Sequence, residues 1–467
     1  MADIYIVYAK ENKKIAIMLF ELLSQQWDVW IDKKIVGSFR QAIEKELPGS
    51  GCVVAVNSMA ARVKATYAAE LQIAENYKVP MIPVRLDDSD LPYPFGENSH
   101  VDMQDWTGEA DHSGIMELKC KLASVVPPRV PPQRPNAIAG GKIPLPNLFM
   151  SVSSFETQIS PAGAVSVLRT FESKTILVSA YDLVPRYKKD PQGIIDELKE
   201  YQDNGGFILL DSGSYEQTRF SKGNWQKQKL WNVLHKVPHD WAFCFDILKP
   251  KHKPEMAISE IIEAVEREKE YTKSAVLPIV HAPKLKYGGY KLTHFPKIIC
   301  EISEKLQPPL IAVPERELGE GIVARAMAIQ SIRKELDKLP FYQPLHILGT
   351  GNPWSIPVFV AAGADSFDGL EWCRMVVDRD VHRLHHFQHF DYFVCQKGKA
   401  ESQIVKTALD GNDFQAKVVF HNLDYYSSFM VEMRQYLAEN DLQSFMVGIM
   451  GSQAVKQLKQ EIKGLFR

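Results

Sequence analysis

The sequence is poor in paired cysteines, long apolar runs and net charge, and each scarcity argues against a class of protein. Six cysteines are spread over 467 residues with no Cys-x-x-Cys pair, which favours reduced thiols over a disulfide framework. No apolar run approaches the roughly 20 residues that span a bilayer, so no membrane partner is expected. The first residues show no signal peptide, and a cytoplasmic location is expected. A formal net charge of −2 gives no global basic field, so a nucleic-acid partner would need a local patch.

Proline is concentrated at one place, and this place divides the chain. A length of 467 residues favours two or three domains. Residues 125–136 (VVPPRVPPQRPN) contain five prolines, and Gly140 and Gly141 follow them. Proline lacks the amide hydrogen and fixes φ, so this run favours a stiff polyproline II spacer. We therefore predict a first domain at residues 1–124, a Pro/Gly-rich linker at 125–145, and a second domain with a C-terminal helical extension at 146–467.

In the N-terminal domain, strand-like runs alternate with helical patterns. The apolar runs are residues 4–8, 29–31, 52–56 and 81–86. The helical patterns are residues 15–23, 39–47 and 65–76. In the first helix the apolar residues recur at i, i+3, i+4, i+7 and i+8, which indicates one face turned to a core. The alternation predicts a parallel sheet covered on both faces, with ligands bound beyond the carboxyl ends of the strands.

Blocks of this domain resemble TIR domains, and they follow one another in the order of that family. They are residues 4–11 (IYIVYAKE), 27–32 (WDVWID) with Gly37 and a helix after them, 55–58 (AVNS), 67–71 (YAAEL) and 80–87 (PMIPVRLD). The block at 67–71 is similar to the family segment that ends in Trp-x-x-Glu-Leu, with Tyr67 in place of the commoner tryptophan. The resemblance implies a flavodoxin-like α/β fold with a parallel five-stranded sheet.

The same resemblance implies a catalytic residue and a substrate. In enzymatic TIR domains the glutamate at the position of Glu70 cleaves the bond between nicotinamide and ribose, so NAD is the implied substrate. A carboxylate suits this chemistry because it stabilises an oxocarbenium-like transition state or bonds to it. Tyr5, Tyr8 and Tyr67 are candidates for stacking on the adenine or nicotinamide ring. The alternative is an adaptor domain in which Glu70 is a solvated helix residue. Hydrolysis and cyclisation of NAD both stay open.

The C-terminal domain shows the same alternation with more repeats. Its strand-like runs are residues 175–184, 206–210, 241–248, 276–281, 310–313 and 345–348. Helical patterns lie between them, as at residues 192–202, 255–270 and 322–336. At least seven such units in about 320 residues predict a (β/α)₈ TIM-barrel-like fold. Asp211 follows residues 207–210, Asp246 follows residues 243–245 and Asp368 follows residues 365–367, at the predicted strand ends, so the three are expected to converge on one pocket.

Four blocks of this domain resemble tRNA-guanine transglycosylases. They are residues 210–216 (LDSGSYE), 243–246 (FCFD), 348–353 (LGTGNP) and 363–368 (GADSFD). The resemblance implies that Asp368 is the nucleophile at the ribose C1′ carbon, that Asp211 is the acid/base, and that Asp246 binds the edge of the base. Arg374 keeps the spacing of a later arginine in the family. The implied chemistry is a double displacement, in which a carboxylate replaces one base and a second base replaces the carboxylate.

The sequence also departs from that family. The glycine-rich segment that recognises the base is replaced by residues 308–315 (PPLIAVPE). Of the zinc motif, Cys395 and His421 are retained, while Phe390 and Tyr392 stand at the first two cysteine positions. Two ligands do not make a structural zinc site. Zinc stays open as a cofactor because other candidate ligands lie just upstream, in a stretch otherwise typical of a surface helix: His382, His385, His386 and His389.

The leading hypothesis is a prokaryotic anti-phage defence effector, in which the TIR domain cleaves NAD under the control of a transglycosylase-like sensor barrel. The barrel would recognise a nucleobase, nucleoside or nucleic acid as the trigger, and assembly into a homo-oligomer would complete the TIR sites. The alternative is a base-exchanging transglycosylase on tRNA or DNA that works through Asp368, with the TIR domain as an oligomerisation adaptor. A third hypothesis is a scaffold protein without catalysis in either half.

Overall fold

The computed structural model describes residues 2–32, 39–95, 100–109, 112–185, 191–214 and 225–466. Gly37, Tyr215 and Glu216, which belong to the blocks quoted above, lie outside the described residues. The chain divides into two compact units, Met1–Arg134 with Asp337–Tyr342 and Pro135–Leu336 with Gln343–Arg467. None of the helices in the described part of the chain is long and apolar enough to cross a membrane.

The N-terminal unit contains a five-stranded parallel sheet. Its strands are β1 (Ile4–Tyr8), β2 (Val29–Trp30), β3 (Cys52–Asn57), β4 (Met81–Arg85) and β5 (Val101–Asp102). The strand order is β2-β1-β3-β4-β5, and every neighbouring pair is parallel. This is the flavodoxin-like order, so the predicted fold class of this unit is confirmed.

Helices cover both faces of this sheet, as the alternating pattern predicted. They are α1 (Lys13–Leu23), α2 (Phe39–Glu46), α3 (Met59–Arg62), α4 (Ala65–Asn76) and α5 (Ser113–Val125). Successive residues of a strand point to opposite faces. In β1, Ile4 and Ile6 therefore enter one core with α1 and α5, while Tyr5 and Val7 enter the other core with α4. This alternation brings Tyr5 beneath the helix that carries Glu70.

The second unit is an eight-stranded parallel barrel. A short hairpin of β6 (Ala137–Ile138) and β7 (Ile143–Pro144) precedes it. The barrel strands are β8 (Asn147–Val152), β9 (Thr175–Ser179), β10 (Phe207–Asp211), β11 (Trp241–Phe243), β12 (Ala275–Leu277), β13 (Ile311–Pro314), β14 (Leu345–Leu348) and β15 (Ser366–Gly369). They pair in the order β12-β11-β10-β9-β8-β15-β14-β13, and a parallel bridge between Ile279 and Ala312 joins the two outer strands. The predicted TIM-barrel-like class is confirmed.

Helices follow the strands of the barrel. They are α6 (Pro161–Thr170), α7 (Gln192–Asp203), α8 (Lys227–Lys236), α9 (Pro254–Lys269), α10 (Phe295–Leu306), α11 (Gly321–Leu336), α12 (Ser355–Ala361) and α13 (Glu371–Arg374). The three helices named in the sequence analysis, α7, α9 and α11, lie within one residue of their predicted ends. Large apolar side chains such as Phe149, Leu209 and Phe243 fill the barrel interior, so the space left for a ligand lies beyond the strand ends.

After the barrel the chain forms a hairpin and a group of helices. The hairpin pairs β16 (Met375–Asp378) with β17 (Arg383–His386), and a 3₁₀ segment (Phe387–Lys399) follows. The surface helix considered for the histidine-rich stretch is therefore wrong for its first part, because His385 and His386 pair with Val376 and Met375 as strand residues. The closing helices are α14 (Gln403–Asp410), α15 (Phe414–Ala438), α16 (Leu442–Met450) and α17 (Ser452–Glu461).

Candidate functional sites

In the N-terminal unit, Glu70 lies beside aromatic residues of β1, β2 and its own helix. The Tyr5 hydroxyl donates a hydrogen bond to Glu70 Oε2 at 3.4 Å. The Tyr5 ring stacks on Trp30, with ring centroids 4.5 Å apart. Tyr67, one helical turn before Glu70, is buried, and its hydroxyl has no hydrogen-bond partner among the described residues. Aromatic side chains therefore surround the Glu70 carboxyl, and the Tyr67 hydroxyl has no hydrogen-bond partner in the part of the chain that the structure describes.

A second carboxylate lies close to this cluster. Asp32 follows β2 and accepts a hydrogen bond from the Tyr8 hydroxyl through Oδ1. Its negative charge opposes ionisation of Glu70. The strand β1, the end of β2 and one helix therefore bring together the three predicted tyrosines, Glu70 and an aspartate that the sequence analysis did not single out.

The surroundings of Glu70 change its affinity for a proton. Burial raises the pKa of Glu70 to about 7, and the charge of Asp32 adds to this rise, although the hydrogen bond from Tyr5 opposes it. Burial also raises the pKa values of Tyr5, Tyr8 and Tyr67 above the ordinary value of a phenol, so these side chains stay protonated donors near neutral pH. A carboxyl group that titrates near neutrality is suited to proton transfer or to nucleophilic attack.

In the second unit, one cavity of about 290 Å³ lies at the carboxyl ends of the barrel strands. All eight strands, or the residues that follow them, contribute to its wall. Its ionisable wall residues are Asp211, Asp246, His281, Glu315, Arg316, Asp368, Glu371 and Arg374. The three predicted aspartates therefore do converge on one cavity. Its volume lies near the lower end of the range for ligand pockets, a size that suits a base or a nucleoside.

Asp368, near the end of β15, is held by groups from β8 and from β14 with the residue that follows it. The Ser151 hydroxyl donates to Oδ2 at 2.8 Å, and the Gly349 amide donates to Oδ1 at 2.8 Å. The ring of His346, which is fully buried, places Nε2 at 3.2 Å from Oδ1. These contacts fix the orientation of the carboxylate, which a nucleophile in a double displacement requires.

Asp211 and Arg374 lie at other points of the same cavity. Asp211 Oδ2 accepts a hydrogen bond from the Gly213 amide at 2.9 Å. Gly213 has a φ of +81°, and a Cβ there would lie 2.7 Å from the Tyr181 backbone nitrogen, so this turn requires glycine. Arg374 forms an ion pair with Glu156 at 2.7 Å.

Asp246 belongs to a chain of three ionisable side chains. Its Oδ2 lies 3.7 Å from His281 Nε2, an ion-pair distance that is too long for a hydrogen bond. His281 Nδ1 lies 2.9 Å from Glu317 Oε1, and Glu317 Oε2 accepts the Ala282 amide at 2.9 Å. Burial alone would lower the pKa of His281, but the interactions with Asp246 and Glu317 outweigh burial and raise that pKa. His281 and Glu317 are further site residues that the sequence analysis did not single out.

Glu371 is another acid of the cavity. Its carboxyl packs over Gly351 and Gly369, and a Cβ on either glycine would collide with Oε2. Oε2 is buried and has no hydrogen-bond partner among the described residues. Burial, together with the charge of Asp368, raises the pKa of Glu371 to about 7. The cavity therefore offers one carboxyl group that holds its proton more strongly than an ordinary glutamate.

Comparison with known proteins agrees with both halves of this description. Residues 4–118 match the family model of the TIR domain. The chain is also similar to tRNA-guanine(15) transglycosylases. The protein from Pyrococcus furiosus is 22% identical over 272 residues, which cover 55% of this chain and 43% of the relative. The protein from Nanoarchaeum equitans is 24% identical over 239 residues, which cover 50% of this chain and 54% of the relative. The chain is a TIR domain fused to a transglycosylase-like barrel. It spans about half the length of these relatives or less.

With this assignment, the predicted site residues form one group in each domain and one further pair. Glu70, Tyr5, Tyr8 and Tyr67 come together in the TIR domain. The barrel residues that come together around its cavity are Asp211, Asp246, Asp368 and Arg374. The remaining pair, Cys395 and His421, lies after the barrel.

The surroundings of Cys395 and His421 do not fit a zinc ion. His421 is buried, and its Nε2 lies 2.8 Å from the Val377 carbonyl oxygen. A carbonyl only accepts hydrogen bonds, so Nε2 carries a proton there and cannot bind a metal. The His421 ring packs on Phe390 at a centroid distance of 5.5 Å, and Cys395 is exposed. In the described ranges no group of three or more His, Cys, Asp or Glu side chains could hold a metal ion. No step proposed below uses zinc.

Proposed function

We propose that the TIR domain cleaves NAD at the bond between nicotinamide and ribose, with Glu70 as the catalytic residue. The observation that carries this proposal is the position of the Glu70 carboxyl, which is half-buried, accepts a hydrogen bond from Tyr5 and has its pKa raised by burial to about 7. A carboxyl group in such surroundings is ionised in a large part of the molecules near neutral pH. It is also poorly solvated, which strengthens its interaction with a positively charged sugar.

In the proposed step, NAD binds with its nicotinamide ribose against the Glu70 carboxylate. The bond from C1′ to the nicotinamide nitrogen breaks, and its electron pair stays on that nitrogen, which leaves as neutral nicotinamide. Glu70 stabilises the resulting cation or bonds to C1′. In hydrolysis, water then adds to C1′ and releases a proton. In cyclisation, a nucleophilic nitrogen of the adenine takes the place of water. Both outcomes follow the same first step.

The biological setting proposed for this reaction is anti-phage defence in a prokaryotic cytoplasm. The barrel would act as the sensor, with a nucleobase, nucleoside or nucleic acid as its trigger, and the TIR domains of a homo-oligomer would become active on binding. The cavity with Asp211, Asp246 and Asp368 in its wall supports a sensor for a small polar ligand. Loss of NAD would then stop growth of the infected cell.

The experiment measures NAD consumption by the purified full-length protein, with and without extract from infected cells, and separates the products by chromatography. Glu70→Gln is expected to lose activity by about 100-fold or more, because the transition-state charge loses its partner. Glu75→Gln is the matched control, since Glu75 is exposed on the same helix and is expected to keep full activity. If wild type and Glu70→Gln consume NAD equally under every condition, or neither consumes it, the proposal is wrong.

A second candidate function is base exchange in tRNA or DNA by the barrel, with the TIR domain as an oligomerisation adaptor. The observation that favours it is Asp368, which Ser151, His346 and Gly349 hold in one orientation beside a ligand-sized cavity. Labelled guanine would be incubated with the protein and with tRNA or DNA. Incorporation that disappears in Asp368→Asn, while NAD stays intact, would establish this function in place of the first.

A further inference from the structure

Two carboxyl groups lie near the carboxyl end of β15, and the functions proposed above use only one of them. Asp368 accepts hydrogen bonds at 2.8 Å from the Ser151 hydroxyl and from the Gly349 amide, as a positioned carboxylate does. Glu371, three residues later in the chain, lines the same cavity. Its Oε2 atom is buried and has no hydrogen-bond partner in the part of the chain that the structure describes. The two groups therefore share a cavity but differ in their bonding.

Two glycines make the room for the Glu371 carboxyl. A Cβ on Gly351 or on Gly369 would collide with Oε2. Tyr426 of α15 also faces this carboxyl, but its hydroxyl donates to the Gly351 carbonyl oxygen at 2.7 Å. Burying a charged oxygen without a partner is costly, and a carboxyl group avoids this cost by keeping a proton. The packing around Oε2 therefore favours the neutral acid.

The groups around Glu371 have opposing effects on its affinity for a proton. Burial is the largest effect and raises the pKa, whereas the hydrogen bond from its own amide lowers it. The charges of Asp368 and of Glu315, which follows β13, raise the pKa further, and Arg374 of the same helix lowers it. The neighbouring Cys373 thiol stays neutral, because burial and the charge of Glu371 raise the pKa of that thiol. The result is a pKa of about 7 for Glu371, so its acid form is present near neutral pH.

We propose that the barrel hydrolyses the bond between a base and its ribose, with Glu371 giving a proton to the departing base and Asp368 attacking the C1′ carbon. The inference rests on the role that Asp368 has in the second candidate function, with water in place of the incoming base. In glycoside hydrolysis, a carboxylate and a protonated carboxyl group share this work. Pro314 in the cavity wall has no amide N–H to offer a second base, which favours water as the acceptor of the ribosyl group. The substrate class is a riboside whose base departs as an anion, such as a purine nucleoside.

The reaction has two steps. In the first, the bond from C1′ to the ring nitrogen breaks, its electron pair stays on that nitrogen, and the Glu371 proton passes to the base, which leaves neutral. Asp368 bonds to C1′ through a carboxylate oxygen. In the second, water bonds to C1′, the bond to Asp368 breaks with its electron pair returning to the carboxylate, and the Glu371 carboxylate takes a proton from the water. The products are ribose and the free base, and both side chains return to their first state.

The first test incubates the full-length protein at pH 6 with guanosine or with a guanine-containing RNA hexamer, without NAD. Wild type is expected to release guanine and to form ribose or an RNA site without its base in equal amount, although no second base is added. Chromatography measures both products. Release from the nucleoside or from the RNA identifies the form of the substrate. No release from either, or incorporation of labelled guanine in a parallel sample without net release, would overturn the inference.

A variant and a second substrate assign the proton transfer to Glu371. The 7-methylguanine counterpart of the substrate needs no proton, because its cationic base departs as a neutral molecule. Glu371→Gln is expected to lose about 100-fold or more on the guanine substrate and to stay within a few fold of wild type on the methylated one. Glu320→Gln, which changes an exposed glutamate of the same domain, is expected to keep both rates. Equal losses on the two substrates in Glu371→Gln would contradict the role of Glu371 as the acid.

The pH profile of wild type tests the same role without a variant. Glu371 loses its proton as the pH rises through about 7, so the rate on the guanine substrate is expected to fall about tenfold per pH unit above that value. Circular dichroism at each pH shows whether the protein stays folded. A rate that does not fall between pH 7 and pH 9 overturns the inference even if Glu371→Gln fails to fold. Because none of these assays contains NAD, failure here and failure of the Glu70 proposal are separate results.

Discussion

The TIR domain and the barrel both place carboxylates beside a parallel sheet, but they hold those carboxylates in different ways. Glu70 comes from a helix, lies against aromatic rings and receives one long hydrogen bond of 3.4 Å from Tyr5. Asp368 comes from a strand and receives two hydrogen bonds of 2.8 Å, from Ser151 and Gly349, with the His346 ring at 3.2 Å. The first site is desolvated and weakly bonded, whereas the second is polar and firmly positioned.

This difference teaches that the packing around a carboxylate matters as much as its place at a strand end. In the TIR domain, burial raises the pKa of Glu70 to about 7, so the ionisation of this carboxyl changes with pH near neutrality. In the barrel, the bonds around Asp368 fix its geometry, so removal of the carboxylate disturbs its neighbours. The predictions that follow test this contrast, from the largest expected effect to the smallest.

The largest effect is expected in the pH dependence of NAD cleavage. Glu70 has to be ionised to stabilise the ribosyl cation, and its pKa is about 7. The rate is therefore expected to fall about tenfold per pH unit below 7, which amounts to about 100-fold between pH 8 and pH 5. The measurement is initial rate against pH, with circular dichroism at each pH to show that the protein stays folded. A rate that does not change between pH 5 and pH 8 would contradict the proposed difference between the Glu70 site and the Asp368 site.

The next effect concerns the stability of the barrel. Asp368→Ala removes an acceptor that Ser151 and Gly349 use, and it leaves the buried Ser151 hydroxyl without that partner. A loss of about 2 kcal/mol in the free energy of unfolding is expected. Urea denaturation followed by tryptophan fluorescence measures it. The matched control is Asp391→Ala, because Asp391 is exposed, and it is expected to leave the stability unchanged. An unchanged stability in Asp368→Ala would show that the bonds around Asp368 contribute little.

The fold was largely predictable from the sequence because apolar runs and helical periods respond to burial. The runs at β1 and β14 and the helical pattern at α4 have the predicted ends. The strand β8 was not predicted, since Asn147 and Ser151 interrupt its apolar pattern. In the barrel these residues bond to Thr175 and Asp368, so the polar side chains are satisfied inside a fully buried strand. Periodicity does not reveal such long-range partners.

The candidate sites were predicted only in part. Residues that match family blocks, such as Glu70 and Asp368, were found, because a motif marks them directly. Asp32 directly follows a strand-like run and His281 is the last residue of one, and these positions were a usable signal. Glu317 gave no local signal, since its role depends on contact with a ring 36 residues earlier in the chain. Glu371 likewise acquires its raised pKa only in the folded barrel, from burial and from the charge of Asp368.

A smaller effect is expected on the stability of the TIR domain. The folded-state pKa of Glu70 lies above the ordinary value, so the protonated carboxyl favours folding. This contribution is fully present below the ordinary pKa of about 4.5 and is lost as the pH rises through about 7. Glu70→Gln does not titrate, so it is expected to be more stable than wild type at pH 8 and about equal at pH 4. The expected difference at pH 8 is about 1 to 2 kcal/mol, less than the full pKa shift would give, because Glu70 is partly exposed and solvent screens its charge. Thermal melting at both values measures the difference. A variant that is less stable than wild type at pH 8 would contradict the conclusion that burial raises the pKa of Glu70.

The smallest effect is expected from Asp32, and it separates charge from burial. Burial is the larger cause of the raised pKa of Glu70, and the charge of Asp32 adds to it. Asp32→Asn keeps the shape of the side chain and an acceptor for the Tyr8 hydroxyl but removes the charge. The midpoint of the pH profile of NAD cleavage is therefore expected to move to lower pH while the rate above pH 8 stays within a few fold. A midpoint that moves to higher pH would mean that Asp32 affects Glu70 through the packing of neighbouring side chains and not through its charge. The effects of the two carboxylates on the pH profile could then not be separated.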